Sequence, residues 1–371
     1  MRRAIFFVMA FLGTFAGSLV GVETATRAYV DLSSLFILTL FTSGFMIGRA
    51  ITAIFVGRIF DKNPMQARNI MVSSFILLSI VSILYLFVSV WLYIFLRFMV
   101  GMLSGFAWPS VQSILLAASK HSEKNRNMSI YFICGSIGMS TAFLIFAYID
   151  LLTIIIIGVL FYLATAFLGT TLPIETKTFA PNEKRQSIRP QEKENIRIKF
   201  ILLAVELGMV SAILATDTIT GILLDKGFTE MELGIILSIT SYIGIIIGML
   251  SSYGSASVSD KYGEKKIILF LSVMVIFSSL GLLLSNDMAI IFISIILLKI
   301  YVHSFRPLLV ALAKSSGATG LNVGIINASH NASTVILSPT LGFLIENKYT
   351  NIITVLVSTI VIIATIIFYR Q

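Results

Sequence analysis

Twelve apolar runs, each near or above about 20 residues, dominate the chain: 4–29, 34–58, 69–90, 91–117, 127–148, 152–173, 199–223, 232–255, 267–286, 288–314, 322–345 and 352–369. A helix rises ~1.5 Å per residue, so each run is long enough to cross about 30 Å of hydrocarbon. Lipid tails offer no partner to a bare amide, so a crossing segment has to satisfy its backbone as a helix. Charged residues are 12% of the 371 positions and AVILMFWYC residues 57%, whereas a soluble domain carries about 25% charge. A soluble fold of this length has no interior large enough for that much apolar surface. The expected fold class is an all-α integral membrane protein of about twelve transmembrane helices in two pseudo-symmetric six-helix bundles.

The division into two comes from the segment 174–198, which is polar, holds Pro181 and Pro190, and cannot remain in lipid. It separates residues 1–173 from residues 199–371, and the other connections are short enough to make consecutive helices antiparallel neighbours. With the amino terminus in the cytoplasm, 20 of the 27 Lys and Arg residues fall on the cytoplasmic side of the runs. The positive-inside rule therefore puts both termini and the connecting segment there, in a multi-pass protein of the cell membrane. The net charge of +9 is explained by this topology, and no nucleic-acid partner is implied. The first run has the basic start of a signal peptide, but it continues to about Val30 and has a counterpart in the second half, so it reads as the first span. Cys134 is the single cysteine and lies in an apolar run, which leaves no disulfide and no metal-binding cysteine pattern.

Internal repetition supports the division. Asp61-Lys62 and Asp260-Lys261 end equivalent runs 199 residues apart; ETAT at 23–26 matches DTIT at 217–220, and Trp108-Pro109 matches Arg306-Pro307. Two diverged copies with a central site between them are a recurrent plan among secondary transporters.

The chain resembles the major facilitator superfamily. Between the second and third helices that family carries a loop motif G-x-x-x-D-R/K-x-G-R/K-R/K. Here the first copy reads Gly57-Arg58-Ile59-Phe60-Asp61-Lys62-Asn63-Pro64, with Arg68 further on. The second reads Ala256 to Lys266 and includes Asp260 and Gly263. Pro64 replaces the loop glycine of the first copy and Ala256 the leading glycine of the second. A small residue permits close helix approach, and an aspartate at the rim can accept from a neighbouring helix amino terminus. The resemblance implies that Gly57, Asp61 and Arg68, with Asp260 and Gly263 in the second copy, latch the two bundles in an outward-open state. Arg97-Phe98-Met99-Val100-Gly101 and Gly105 resemble the family's R-x-x-x-G pattern, in which the arginine faces the cavity. The glycine- and proline-containing antiporter signature of the fifth helix is poorly matched, since Gly138 is followed by Met139 and Ser140.

Ionisable groups inside spans cost about 2.5–3.5 kcal/mol each on insertion scales, which makes every one a functional candidate. By depth, Glu23 and Arg97 form one expected pair, and Asp217 and Lys299 a second. Arg49, Glu206, His303, Arg306 and His330 form an expected deeper layer, positive or neutral in sum, that suits a carboxylate or phosphate. Structural ion pairing, including Arg49 with Glu206, is the competing reading for these groups. Glu23, Asp217 and Glu206 are the candidates for proton coupling.

The resulting expectation is a secondary active transporter of a small organic solute, with an anion favoured and a proton-driven multidrug or metabolite efflux pump as the alternative. A non-transporting membrane sensor and an intramembrane lipid-modifying enzyme are the readings from other classes. No phosphate-binding G-x-x-x-x-G-K-S/T loop occurs, and no cofactor, metal or catalytic residue is expected. The partners would be the substrate, the bilayer and, where coupling holds, protons; the protein would act as a monomer.

Overall fold

The structure is a computed structural model. It describes residues 4–32, 35–146, 149–172, 190–214, 264–313 and 319–346, with scattered positions between 226 and 254 and between 349 and 359. Among these residues there are ten α-helices and no strand: α1 (Ala4–Leu32), α2 (Leu35–Lys62), α3 (Pro64–Leu84), α4 (Tyr93–Ala118), α5 (Lys124–Phe146), α6 (Leu151–Thr170), α7 (Pro190–Ile213), α8 (Glu264–Leu284), α9 (Met288–Leu312) and α10 (Thr319–Glu346). Six described segments are long and apolar enough by themselves to cross a membrane, among them Ala4–Thr24, Pro64–Leu84 and Leu151–Thr170. Half of the eighth apolar run and most of the twelfth lie outside the described residues, although Gly244, Gly248 and residues 352, 355 and 359 are helical.

Boundaries differ from expectation where helix ends have chemistry of their own. The third helix starts at Pro64, five residues before the apolar run, because Asn63 caps it by accepting from the Gln66 amide at 3.1 Å. Proline at the first helical position loses no hydrogen bond there, so the proline that departs from the loop motif serves as a helix start. The α6 helix begins behind Asp150, whose side chain accepts from the Leu152 and Thr153 amides. The α7 helix already starts at Pro190, which makes the last part of the polar connecting segment helical.

Large apolar side chains cover the outside: Phe167 and Phe277 are each 70% exposed and Phe55 is 55%. In water such a surface would aggregate; facing lipid tails it loses nothing. The chain is a multi-pass membrane protein. The interior is apolar but interspersed with hydroxyls that bond back to their own helix, as Thr52 does to Gly48 and Thr165 to Phe161.

The first six helices pack through α2 on α4, α1 on α5 and α6, and α3 on α4 and α6. The described helices that follow pack through α7 on α10 and α8 on α9. The two sets meet chiefly where α2 runs beside α10 and α5 beside α9, and the α2–α10 contact is the most extensive among the described helices.

Candidate functional site

Small residues decide how close the helices around the centre can come. Added side chains at Gly101 and Gly105 of α4 would run into the backbone of α2 at Phe45 and Arg49. The i, i+4 spacing puts both glycines on one face, so α4 lies directly against α2 there. One turn before Gly101, Arg97 reaches α1 and donates from Nη2 to the Gly21 carbonyl at 2.6 Å.

Inside this frame lies a cavity of about 600 Å³. Arg49 of α2, Arg97 of α4, and Lys299, His303 and Arg306 of α9 line it, and no aspartate or glutamate does so among the described lining residues. The walls between the charges are largely aromatic: Phe45, Trp108, Tyr131, Phe132 and Tyr162. Each deep arginine rests on one of these rings. The Arg306 guanidinium carbon is 5.0 Å from the Phe132 ring centre and that of Arg49 is 5.8 Å from the Phe45 ring. Such stacking favours a cation but leaves its N–H donors free to bond elsewhere. His303 Nδ1 lies 3.2 Å from Ser136 Oγ of α5, which ties α9 to α5 at the cavity wall.

Several charged residues expected at the centre take other places. Glu23 and Arg97 are not joined: Glu23 binds Arg27 on its own helix at 2.8 Å, while Arg97 bonds to the Gly21 carbonyl. An i, i+4 partner one turn away outcompetes one on another helix. Glu206 does not meet Arg49. It is fully buried beside α9, where its Oε1 accepts from the Tyr301 hydroxyl at 2.9 Å and its Oε2 has no hydrogen-bond partner among the described residues. His330 of α10 is buried close enough to Arg49 and Arg306 to feel their charge, but it does not line the cavity. Asp217, Asp260 and Gly263 lie outside the described residues.

At one end of the α2–α10 contact the backbones touch. A side chain at Gly57 would overlap the Gly320 carbonyl, one at Gly320 would meet the Gly57 carbonyl, and one at Gly324 the Ala53 carbonyl. Here Asp61 accepts two hydrogen bonds from the start of α10, 2.9 Å from the Gly320 amide to Oδ1 and 2.8 Å from the Leu321 amide to Oδ2. These amides have no partner inside their own helix, and the helix dipole favours a negative charge there by about 0.3–1 kcal/mol. Arg68 does not join this contact; its Nη1 donates to the Leu172 carbonyl just past the end of α6, at 3.1 Å.

The sequence profile of the Major Facilitator Superfamily matches residues 4–317. The chain belongs to that family. It is a secondary transporter of a small molecule across a lipid bilayer, and not an enzyme. Solved structures with the same fold include the human organic anion transporter MFSD10 (TETRAN), at 12% identity and a TM-score of 0.77 over 99% of this chain and 98% of that one. A bacterial homologue of the iron transporter ferroportin in an outward-facing state gives 12% identity and a TM-score of 0.80, over 100% and 99%. The transporter FucP in an outward conformation gives 14% and 0.74, over 100% and 99%. At these identities the likeness is one of fold. Comparison with curated protein sequences gives no match.

Within this transporter three polar residues that the charge pattern passed over also matter. Gln112 of α4 lines the cavity and accepts from Asn327 Nδ2 of α10 at 2.9 Å, a neutral bond between the first six helices and the later set. Tyr131 of α5 stands buried at the wall of the same cavity as Arg49 and Arg306. A polar side chain in the middle of an apolar run was the available signal, and the polar stretch 327–333 carries it most strongly.

Proposed function

We propose that this transporter moves an organic anion by alternating access, with Arg49, Arg306, Lys299 and Arg97 providing the attraction at the central cavity. The observation that carries this reading is the cavity's lining of four basic side chains without a carboxylate among the described residues. Like charges around a low-dielectric space repel, and an entering anion turns that cost into attraction. Arginine forks bind carboxylate or phosphate with two parallel bonds. The human relative's cargo class is consistent with this reading. An iron cargo, as for the ferroportin homologue, has no support from the cavity: among the described residues no group of three His, Cys, Asp or Glu could hold a metal ion.

The rim contact is proposed as the latch of the cytoplasmic side. Asp61 bonded to the start of α10, and Gly57 against Gly320, hold that side shut in an outward-facing arrangement, with both termini in the cytoplasm. Arg68 supports the latch from the end of α6, and Asp260 and Gly263 form its second copy. Proton coupling is proposed for Glu206, with Glu23 and Asp217 as further carriers, and His303 and His330 as relays. The protein acts as a monomer in the plasma membrane.

The test is thermal unfolding of the purified protein against anionic, cationic and neutral metabolites, since a ligand at 100 times its dissociation constant stabilises by about 2.7 kcal/mol. Stabilisation by anions that disappears in Arg306→Ala supports the reading. Stabilisation by cationic amphipaths that survives the substitution overturns it and favours efflux through the acidic residues.

A further inference from the structure

Tyr131 contributes a phenol to the wall of the cationic cavity. It is 3% exposed, it lines the cavity, and both Arg49 and Arg306 are near enough to act on its charge. Gln112 lines the same cavity, and its oxygen accepts from Asn327, whose amide also donates to the Val323 carbonyl. The arginines of the cavity are donors without a lone pair, so they cannot take the phenol proton. Water or an incoming acceptor takes it, and a negatively charged acceptor is favoured most.

The ring is also held. It meets Phe132 edge to face with centroids 5.3 Å apart, and Phe132 carries Arg306 on its other contact at 5.0 Å. Trp108, Phe45 and Tyr162 complete a wall that offers flat apolar surface. A cavity of about 600 Å³ falls within the range of about 300–1,000 Å³ that accepts drug-sized molecules.

We infer that Tyr131 is a further cargo-binding residue, donating its hydroxyl hydrogen bond to an oxyanion held by Arg49 and Arg306, and that the cargo carries this oxyanion on a flat apolar body. This rests on the anionic-cargo reading above. Gln112, which lines the same cavity, and Asn327 connect the site to α10.

The experiment measures dissociation constants by thermal unfolding of the full chain in detergent, for acetate, inorganic phosphate, 1-naphthoate, 1-naphthyl phosphate and the neutral 1-naphthamide. In the wild type the naphthyl anions bind more tightly than acetate or phosphate, and the better of the two identifies the head group as carboxylate or phosphate. Tyr131→Phe weakens that anion roughly tenfold, the size of one hydrogen bond to a charged group. The same substitution leaves the melting temperature without ligand within about 1 °C, which corresponds to a fraction of a kcal/mol. Anion binding in the wild type that Tyr131→Phe leaves unchanged overturns the role of Tyr131 while the anionic-cargo reading stands. Equal affinity for acetate and naphthoate, or for naphthamide and naphthoate, overturns the flat-anion class. No stabilisation by any of the four anions overturns both readings.

Discussion

The same two helices, α2 and α10, treat polar groups in opposite ways at two depths. At the rim the backbones touch at Gly57 and Gly320, and Asp61 has a donor for each oxygen. Two to three turns deeper, Arg49 Nε of α2 and His330 Nδ1 of α10 have no hydrogen-bond partner among the described residues. The rim is complete in itself, whereas the centre has donors to spare. A machine that alternates needs both: a contact good enough to hold one state, and a site whose satisfaction waits for cargo.

The largest effect should come from the centre. Arg49→Ala with Arg306→Ala removes two charge-assisted bonds of about 1.5–3 kcal/mol each, so anion affinity falls by at least about 100-fold, read as uptake into proteoliposomes and as lost thermal stabilisation. Retained affinity would mean that the unpartnered donors are incidental. Gly57→Leu comes next. Its side chain overlaps the Gly320 carbonyl, and overpacking of about 1–3 kcal/mol opens the rim, which distance measurements between spin labels on α2 and α10 would record. Transport should drop about tenfold or more while anion affinity holds within a few-fold.

Tyr301→Phe is a smaller test of the same contrast inside the later helices. It removes the Tyr301 hydrogen bond to Glu206, and leaving that buried carboxyl short of a donor costs about 1–3 kcal/mol of stability. A melting temperature unchanged in Tyr301→Phe would show that the buried acid does not depend on its donor. Asp61→Asn keeps one acceptor and loses the charge, so the closed rim weakens by about 1 kcal/mol. The smallest effect belongs to Asp150, which caps the start of its own helix as Asp61 caps the start of another. The Thr153 hydroxyl and the neighbouring amides hold the Asp150 carboxyl below its ordinary range. A lowered folded pKa gives stability that is present above the unfolded value and lost as pH falls through the folded one. Asp150→Ala should therefore lower the melting temperature slightly at neutral pH and not at all in strong acid.

The division between what could be read early and what could not follows the physics of helices in lipid. The spans, the Asp61 loop and the membrane class were legible because each depends on local composition: length sets crossing, and a charged break sets a turn. Pro64 was legible as a departure from the loop motif, but its use as a helix start was not, since that depends on Asn63 folding back onto Gln66. Glu23 and Arg97 stand at similar depths, yet a partner four residues away took Glu23 first.

The sequence by itself determined that this chain crosses a membrane many times, that it repeats a six-helix plan, and which ionisable groups are inside it. Only the tertiary structure decided which of those groups share a space. Depth follows from counting residues at 1.5 Å each, but each residue also turns a helix by about 100°, and the direction it faces is set by the neighbours. In a soluble protein an apolar stripe would reveal that rotation. Here lipid and core are equally apolar, so the stripe is absent, and close glycine contacts such as Gly101 with Phe45 and Gly57 with Gly320 fix the rotation instead. That is why Arg49 and Arg306 came to one cavity while Glu206, at a similar depth, was sealed behind Tyr301.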